Sequence, residues 1–218
     1  MMGAEESTGR EWALQIGLTG SIGMGKTTLA SQFNYLGFPV FDADASVHRM
    51  YSGGGSAVKP IEDVFPGVVI DGVVDRKLLG ALVLSDSTAM SLLEAIVHPL
   101  VQQDRQSFLQ EMSDLGHFLV IYDIPLLYEK PATAPYVDYT IVASADAPIQ
   151  RQRVLDRPGM SAEKFESILA KQMPDEQVSM RYGCILKRVA CYSCRWFNLS
   201  TLPYHNISYH TIYILTMT

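Results

Sequence analysis

The chain has 218 residues, of which 48% are hydrophobic and 18% are charged, values that exclude a disordered protein. Its formal net charge of −6 argues against a nucleic-acid-binding protein, because phosphate backbones require a basic surface. The start of the chain is acidic and no long apolar run occurs, so we expect neither a signal peptide nor a membrane span. With no cysteine before residue 177, these features predict a cytoplasmic protein.

The first element is an apolar run at residues 14–18, followed by residues 20–27, which match the pattern G-x-x-x-x-G-K-[S/T]. Glycines in such a loop let backbone N–H groups turn toward phosphate oxygens, and the following helix adds its positive N-terminal dipole. We predict that Lys26 reaches the β- and γ-phosphates of a nucleotide and that the Thr27 hydroxyl binds Mg²⁺. Helical spacing of apolar residues then predicts a helix that is capped by Gly37.

A second short strand is predicted at residues 38–41, and Asp42-Ala43-Asp44 follows it. Open α/β sheets bind ligands at the carboxyl ends of their strands, so these two carboxylates are well placed beside a phosphate loop. We predict that one of them caps the next helix while the other acts as a general base. The alternative is that both are helix caps.

A mostly helical block is predicted at about residues 52–115. It begins with a glycine-rich hinge at residues 52–56, and Asp71-Gly72 between β-branched residues indicates a β-hairpin. His98-Pro99 separates the last two predicted helices. Because the block is long for a simple crossover, we interpret it as an insertion that recognises a substrate.

After the helical block, a buried strand is predicted at residues 118–123. This strand ends in Asp123, the form of a Walker B segment that holds magnesium directly or through water. Another strand is predicted at residues 137–142, followed by a helix opened by Pro148 and a helix capped by Ser161. Strands that alternate with helices behind a P-loop predict an α/β fold with a central parallel sheet.

Several of these segments resemble the dephospho-CoA kinase family, in the family's order and spacing, over roughly residues 14–176. The matching residues are 17–20 and 25–27, 42–44, 71–76, 93–99, 123–129, 137–138, Gln150, Arg153, Arg157 and Gln172. The combination of Asp-Ala-Asp, His-Pro and Pro-Leu-Leu-x-Glu is specific to this family. The resemblance implies a three-layer P-loop NTPase fold with a helical substrate-binding insertion and a lid at about residues 150–172.

The resemblance also implies an activity: ATP-dependent phosphorylation of the ribose 3′-hydroxyl of dephospho-CoA, with Mg²⁺, to give coenzyme A and ADP. Asp44 is implied as the general base and Lys26 as the catalytic cation. The residues implied to line ATP are Gly23, Met24, Gly25, Lys26, Thr27, Thr28, Arg153 and Arg157. Those implied to contact dephospho-CoA are Asp44, His98, Pro125, Leu126 and Leu127, and those implied to hold the metal are Thr27 and Asp123.

Other interpretations of these residues stay open. His98 would also suit a helix end, and Arg153 and Arg157 would also suit a solvated helix face. Asp123 would also suit a position behind the metal ligands. Two other interpretations of the whole chain also stay open. It would be a different small-molecule P-loop kinase, or a truncated or aberrant product that binds nucleotide weakly without turnover.

The end of the chain departs from the family pattern. We interpret residues 1–13 as an N-terminal extension, residues 14–176 as the kinase domain and residues 177–218 as an atypical tail. The tail has no Asp or Glu and contains all three cysteines, and we expect the family's next strand to be absent from it. A non-native ending is the leading interpretation. The alternative is a zinc site at Cys191, Cys194, His205 and His210, whose spacing is shorter than usual.

Overall fold

The structure is a computed structural model that describes residues 13–125, 127, 137–173 and 177, and the backbone of residues 185–187, 197–198 and 213–214. Its strands are β1 (Leu14–Thr19), β2 (Val40–Asp42), β3 (Val69–Ile70), β4 (Val73–Val74), β5 (Leu119–Asp123), β6 (Tyr139–Ser144), β7 (Ile185–Lys187), β8 (Phe197–Asn198) and β9 (Tyr213–Ile214). Its helices are α1 (Lys26–Tyr35), α2 (Ala43–Tyr51), α3 (Val58–Val64), α4 (Arg76–Val83), α5 (Ser87–Asp114), α6 (Ala147–Leu155) and α7 (Ala162–Leu169).

The central element is a five-stranded sheet with the order β2-β5-β1-β6-β7, in which every pair is parallel. All five positions of β5 are buried, as expected of a parallel strand that is covered on both faces. In the sheet register Asp123 lies between Leu18 of β1 and Asp42 of β2. The predicted α/β fold with a central parallel sheet is confirmed, and the register brings the acidic strand ends together beside the loop that follows β1.

Helices cover both faces of the sheet, which makes the three layers that the family resemblance implied. On one face, Leu29 and Phe33 of α1 pack against a cluster that includes Ile16 and Ile121. On the other face, α5 contributes residues such as Phe108, whose ring lies 5.5 Å from that of Phe41. Burial of these apolar side chains stabilises the layered arrangement.

The C-terminus of α1 explains why the chain turns sharply into β2. Gly37 has a φ of +84°, and its N–H donates to the carbonyl of Asn34 over 3.0 Å. The N–H of Phe38 donates to the carbonyl of Phe33 over 3.0 Å, and the two phenyl rings meet edge to face at 6.1 Å. These contacts form a Schellman motif with its hydrophobic contact, so the predicted cap at Gly37 is confirmed.

The insertion between β2 and β5 has its own apolar core, with fully buried residues that include Ala57 and Ile61. The predicted hairpin is present as β3 and β4, with positive φ at Asp71 and Gly72. One other expectation for this block is wrong.

This expectation concerns His98-Pro99, which does not separate two helices, because α5 runs unbroken through Pro99 for 28 residues. Proline removes one hydrogen bond, and packing of Val97 and Val101 on either side of it holds the helix together. Residues 52–56 form a turn in which Gly53 and Gly54 are exposed, while a Cβ on Gly55 would overlap the carbonyl oxygen of Met50, so a hinge there remains a prediction.

The expectation that the tail lacks a strand is also wrong. Residues 185–187 form β7, which pairs in parallel with β6 in the register Val142↔Ile185 and Ser144↔Lys187. Strand pairing depends on backbone groups, so a short apolar segment of different sequence satisfies the edge of β6. Strands β8 and β9 pair with each other and not with the main sheet. Among the helices described, none is long and apolar enough to cross a bilayer.

Replacing Gly37 by alanine should lower the free energy of unfolding by roughly 1–2 kcal/mol, because a Cβ disfavours the left-handed conformation. The matched control is Gly80→Ala inside α4, where the new Cβ would make an ordinary 3.8 Å contact with Leu84. That control should raise the free energy of unfolding by about 0.5–1 kcal/mol. Urea unfolding measures both changes, and a Gly37→Ala protein as stable as the parent would contradict the assigned cap.

Candidate active site

The loop between β1 and α1 forms the centre of the candidate site. Helix α1 begins at Lys26, and its N-cap is Gly25, which has no side chain to satisfy the first N–H groups of the helix. Thr27 and Thr28 are exposed in the first turn, and no acidic residue lies there. Open N–H donors at the positive end of a helix dipole favour an anionic ligand, as predicted for a phosphate.

A buried ion pair joins this loop to the end of β5. The Lys26 ammonium (Nζ) lies 2.5 Å from Oδ1 of Asp123, and the two side chains are 16% and 9% exposed. Burial raises the pKa of Asp123, the hydrogen bond from Lys26 opposes this, and the charges of Asp42 and Asp44 raise it further. The structure therefore brings the predicted lysine and the three predicted carboxylates into one electrostatic environment.

The two aspartates after β2 have different positions. Asp42 is the N-cap of α2, and its carboxylate accepts a hydrogen bond from the N–H of Ala45 over 2.9 Å. Asp44 lies in the first turn of α2 and is exposed. The predicted capping role is therefore confirmed for Asp42, while the role of Asp44 as a base remains a prediction.

Helix α6 packs directly on the loop. Gly23 has a φ of +80°, and a Cβ there would lie 2.5 Å from Cγ2 of Val154 and 3.1 Å from the carbonyl oxygen of Gln150. The side chain of Met24 is buried, and its sulfur accepts a hydrogen bond from the N–H of Ala145 over 3.2 Å. Met24, which was predicted to line ATP, thus directs its side chain into the core beside β6.

Two glutamines contact the same loop. The side-chain amide of Gln150 donates to the carbonyl oxygen of Ile22 over 2.8 Å, and the N–H of Ile22 donates to Gln172 over 2.9 Å. Both glutamines are among the residues that resemble the family, but no role was predicted for either. Their separation from Ile22 by 128 and 150 positions hides the contact from any local pattern.

The two predicted lid arginines differ. Arg153 is partly buried on α6, and its buried Nη1 atom has no hydrogen-bond partner among the described residues. A buried guanidinium nitrogen without a partner is costly, and a phosphate oxygen would satisfy it. Arg157 lies beyond the end of α6 and is exposed. A solvated helix face is therefore wrong for Arg153.

The residues predicted to contact dephospho-CoA differ in whether their side chains are exposed to a ligand. Leu127 is 1% exposed and packs with Val142, so its side chain belongs to the core. Pro125 follows β5, and its carbonyl accepts a hydrogen bond from the Thr19 hydroxyl over 3.1 Å. His98 is exposed on α5. Leu126 lies outside the described residues.

A polar contact that the sequence analysis missed holds α2 against α5. The fully buried Ser46 hydroxyl donates to Asp104 over 2.5 Å, and Arg49 donates to the same carboxylate oxygen over 2.8 Å. This contact joins residues 58 positions apart, so no local signal pointed to it. It fixes the helix whose first turn carries Asp44.

The donor set suits magnesium bound together with phosphates. In the described part of the chain, no group of three or more His, Cys, Asp or Glu side chains is arranged to hold a metal. Magnesium in kinases commonly uses one or two protein oxygens plus substrate phosphates, a set that Thr27 and Asp123 fit. The proposed zinc ligands Cys191, Cys194, His205 and His210 lie outside the described residues.

The site has a phosphate loop after the first strand of a parallel sheet, a partly buried lysine at the end of that loop and an arginine-bearing helix packed on it. These features define a P-loop kinase. A family model described as dephospho-CoA kinase matches residues 14–188, which extends past residue 176 to include β7. Over 162 residues the chain is 52% identical to the dephospho-CoA kinase of Mesorhizobium japonicum, covering 74% of this chain and 81% of that protein.

Other relatives agree. Over 162 residues the identity to the dephospho-CoA kinase of Paramagnetospirillum magneticum is 51%, covering 74% of this chain and 76% of that protein. The fold is similar to the crystal structure of TT1252 from Thermus thermophilus, with a TM-score of 0.70, 33% identity and coverage of 83% of this chain and 91% of that chain. The chain belongs to the dephospho-CoA kinase family.

Gly23→Ala should lower the free energy of unfolding more than Gly116→Ala does. Both glycines have a φ of +80°, so both variants carry the same backbone strain. Within the described part of the chain nothing lies within 4 Å of a Cβ on Gly116, whereas on Gly23 it would overlap Val154. We expect an additional loss of about 1–3 kcal/mol for Gly23→Ala, measured by urea unfolding. Equal losses would show that α6 does not pack on the loop as described.

Proposed function

We propose that this chain transfers the γ-phosphoryl group of ATP to the ribose 3′-hydroxyl of dephospho-CoA, giving coenzyme A and ADP. The observation that supports this best is the Lys26–Asp123 pair at the P-loop, with Asp44 exposed at the end of the neighbouring strand. The identity of 52% to a dephospho-CoA kinase supports the choice of acceptor. A cytoplasmic location remains a prediction from the sequence.

In the proposed site, phosphate binding is the task of the loop and α6. The N–H groups at the start of α1 bind the phosphate oxygens of ATP, and Lys26 exchanges the carboxylate of Asp123 for them. Arg153 supplies the buried guanidinium nitrogen that has no partner in the described residues. Phosphoryl transfer involves little covalent work for the protein, so positive charge placed around the moving group supplies most of the catalysis.

Asp44 is the proposed general base. Its exposed carboxylate stands at the carboxyl edge of the sheet, where an acceptor hydroxyl reaches the γ-phosphate. It takes the proton of the ribose 3′-hydroxyl as the oxygen attacks phosphorus. Asp42 is occupied as the cap of α2 and does not take this role.

Thr27 and Asp123 are the proposed magnesium ligands. Magnesium, when bound, neutralises the charge that develops on the phosphate oxygens. His98 and Pro125 remain candidates for contacts with dephospho-CoA, and Arg157 remains a candidate for contacts with ATP.

Measurement of ADP release tests the proposal. With ATP and Mg²⁺ we expect turnover with dephospho-CoA and little with adenylate or pantetheine. Turnover with adenylate alone would indicate a different small-molecule kinase. Nucleotide binding without turnover on any acceptor would indicate the inactive product considered from the tail sequence.

Asp44→Asn should reduce kcat by roughly 10²–10⁴-fold, the usual contribution of a general base, and leave the Kd for ATP almost unchanged. The matched control is Asp42→Asn, because an asparagine oxygen still caps α2 and the same charge is removed two residues away. Steady-state kinetics with dephospho-CoA and nucleotide titration measure the two quantities. If Asp44→Asn keeps a near-normal kcat, the base is another group.

Thr27→Ala should raise the Mg²⁺ concentration that gives the half-maximal rate by about fivefold or more, equivalent to about 1 kcal/mol. Thr27→Ser retains the hydroxyl and should behave like the parent. The measurement is the initial rate as a function of free Mg²⁺ at saturating ATP. The same Mg²⁺ dependence in both variants would remove Thr27 from the metal site.

A further inference from the structure

Two glutamine side chains bind opposite sides of the backbone of Ile22, in the middle of the P-loop. The amide nitrogen of Gln150 donates to its carbonyl oxygen over 2.8 Å, and the amide oxygen of Gln172 accepts from its N–H over 2.9 Å. A carbonyl requires a donor and an N–H requires an acceptor, so these contacts fix which end of each carboxamide faces Ile22.

The two glutamines lie at opposite ends of the predicted lid. Gln150 lies on α6 and is 5% exposed, and Gln172 lies just after α7. These are the first and last residues of the predicted lid. Both ends of that segment are therefore attached to one residue of the phosphate loop.

The segment between the two attachments is braced internally. Arg151 of α6 forms an ion pair of 2.6 Å with Glu166 of α7, and its guanidinium lies 5.9 Å from the ring centre of Phe165. Arg153 belongs to the same braced pair of helices. Its position relative to the phosphates thus depends on where α6 and α7 meet the loop.

We infer that Gln150 and Gln172 are positioning residues that fix the α6–α7 unit to the P-loop at Ile22. They hold the loop in its phosphate-binding shape and keep Arg153 in register with the phosphates. This inference rests on the proposed function, because it describes how the same site is assembled.

The contact also determines which backbone N–H groups of the loop can bind phosphate. The N–H of Ile22 donates to Gln172 and that of Met24 donates to the carbonyl of Ser21, so phosphate binding is left to other N–H groups of the loop and of the first turn of α1. Loss of either glutamine leaves a backbone group in a crowded loop without its partner, a costly state that the loop relieves by moving. A displaced loop binds ATP more weakly and lets water reach the γ-phosphate.

The sharpest test compares Gln150→Glu with Gln172→Glu. Both changes place one negative charge beside Ile22, so electrostatic repulsion of ATP is shared. A glutamate at 172 still accepts from the N–H of Ile22, whereas a glutamate at 150 has lost the donor and faces the Ile22 carbonyl oxygen with a carboxylate. We expect kcat/KM for ATP to be about tenfold lower in Gln150→Glu than in Gln172→Glu.

The control for added charge is Gln152→Glu, on the exposed side of α6, which should change kcat/KM for ATP by less than about twofold. A second readout separates positioning from a general loss of stability. The ratio of ATP hydrolysed to coenzyme A formed should rise in Gln150→Glu, while KM for dephospho-CoA stays close to that of the parent.

Equal values of kcat/KM in the two glutamate variants would overturn the inference. If Gln150→Glu does not fold, the test compares the Kd for ATP of Gln172→Met with that of the control variant Gln152→Met. Gln172→Met should raise the Kd for ATP by about tenfold, and unchanged binding would overturn the inference. Binding of ATP is measured without any acceptor, so a parent protein that fails to phosphorylate dephospho-CoA refutes the proposed function and leaves this test in place.

Discussion

The structure depends on a loop whose backbone must leave N–H groups open for phosphate while packed elements surround it. Gly23 allows α6 to approach so closely that a Cβ would lie 2.5 Å from Val154. Ile22 has both of its backbone groups satisfied by side chains, and the sulfur of Met24 satisfies the N–H of Ala145. Because the N–H of Ile22 is paired with Gln172 and that of Met24 with the carbonyl of Ser21, these two groups do not compete for phosphate, and the first turn of α1 keeps N–H donors that no side chain caps.

The charge around this loop explains why cations are needed. Asp123 is paired with Lys26, and the charges of Asp42 and Asp44 act on it as well, so carboxylates outnumber the lysine before ATP enters. A triphosphate adds more negative charge at the same place. Magnesium and the guanidinium of Arg153 would offset this charge, which is the reason for proposing Thr27 and Asp123 as magnesium ligands.

The features that the sequence predicted correctly are local. Caps at Asp42, Gly37 and Ser161 and the Asp71-Gly72 turn depend on a few neighbouring residues whose conformational preferences act directly. Resemblance to the family supplied the candidate site residues, because the motifs keep their spacing, and the roles of those residues remain predictions. The parallel sheet then followed from the alternation of strands and helices.

The features that the sequence did not reveal depend on distant contacts. Packing on both sides of Pro99 overrides the usual tendency of proline to end a helix. The sequence pattern places Leu127 in a motif predicted to contact the substrate. In the structure Leu127 packs against Val142 in the core, a contact that no local pattern shows. The bonds of Ser46 with Asp104 and of Ile22 with the two glutamines join residues 58 to 150 positions apart.

Strand β7 completes the edge of the central sheet, although it lies in the tail whose sequence departs from the family pattern. It pairs with residues 142–144 of β6, and the next residue, Ala145, donates its N–H to Met24 of the P-loop. The pairing uses backbone groups, so Ile185–Lys187 closes this edge of the sheet although the tail was expected to lack such a strand. The family match ends at residue 188, directly after β7. Strand β7 therefore lies within the part of the chain that the family model matches.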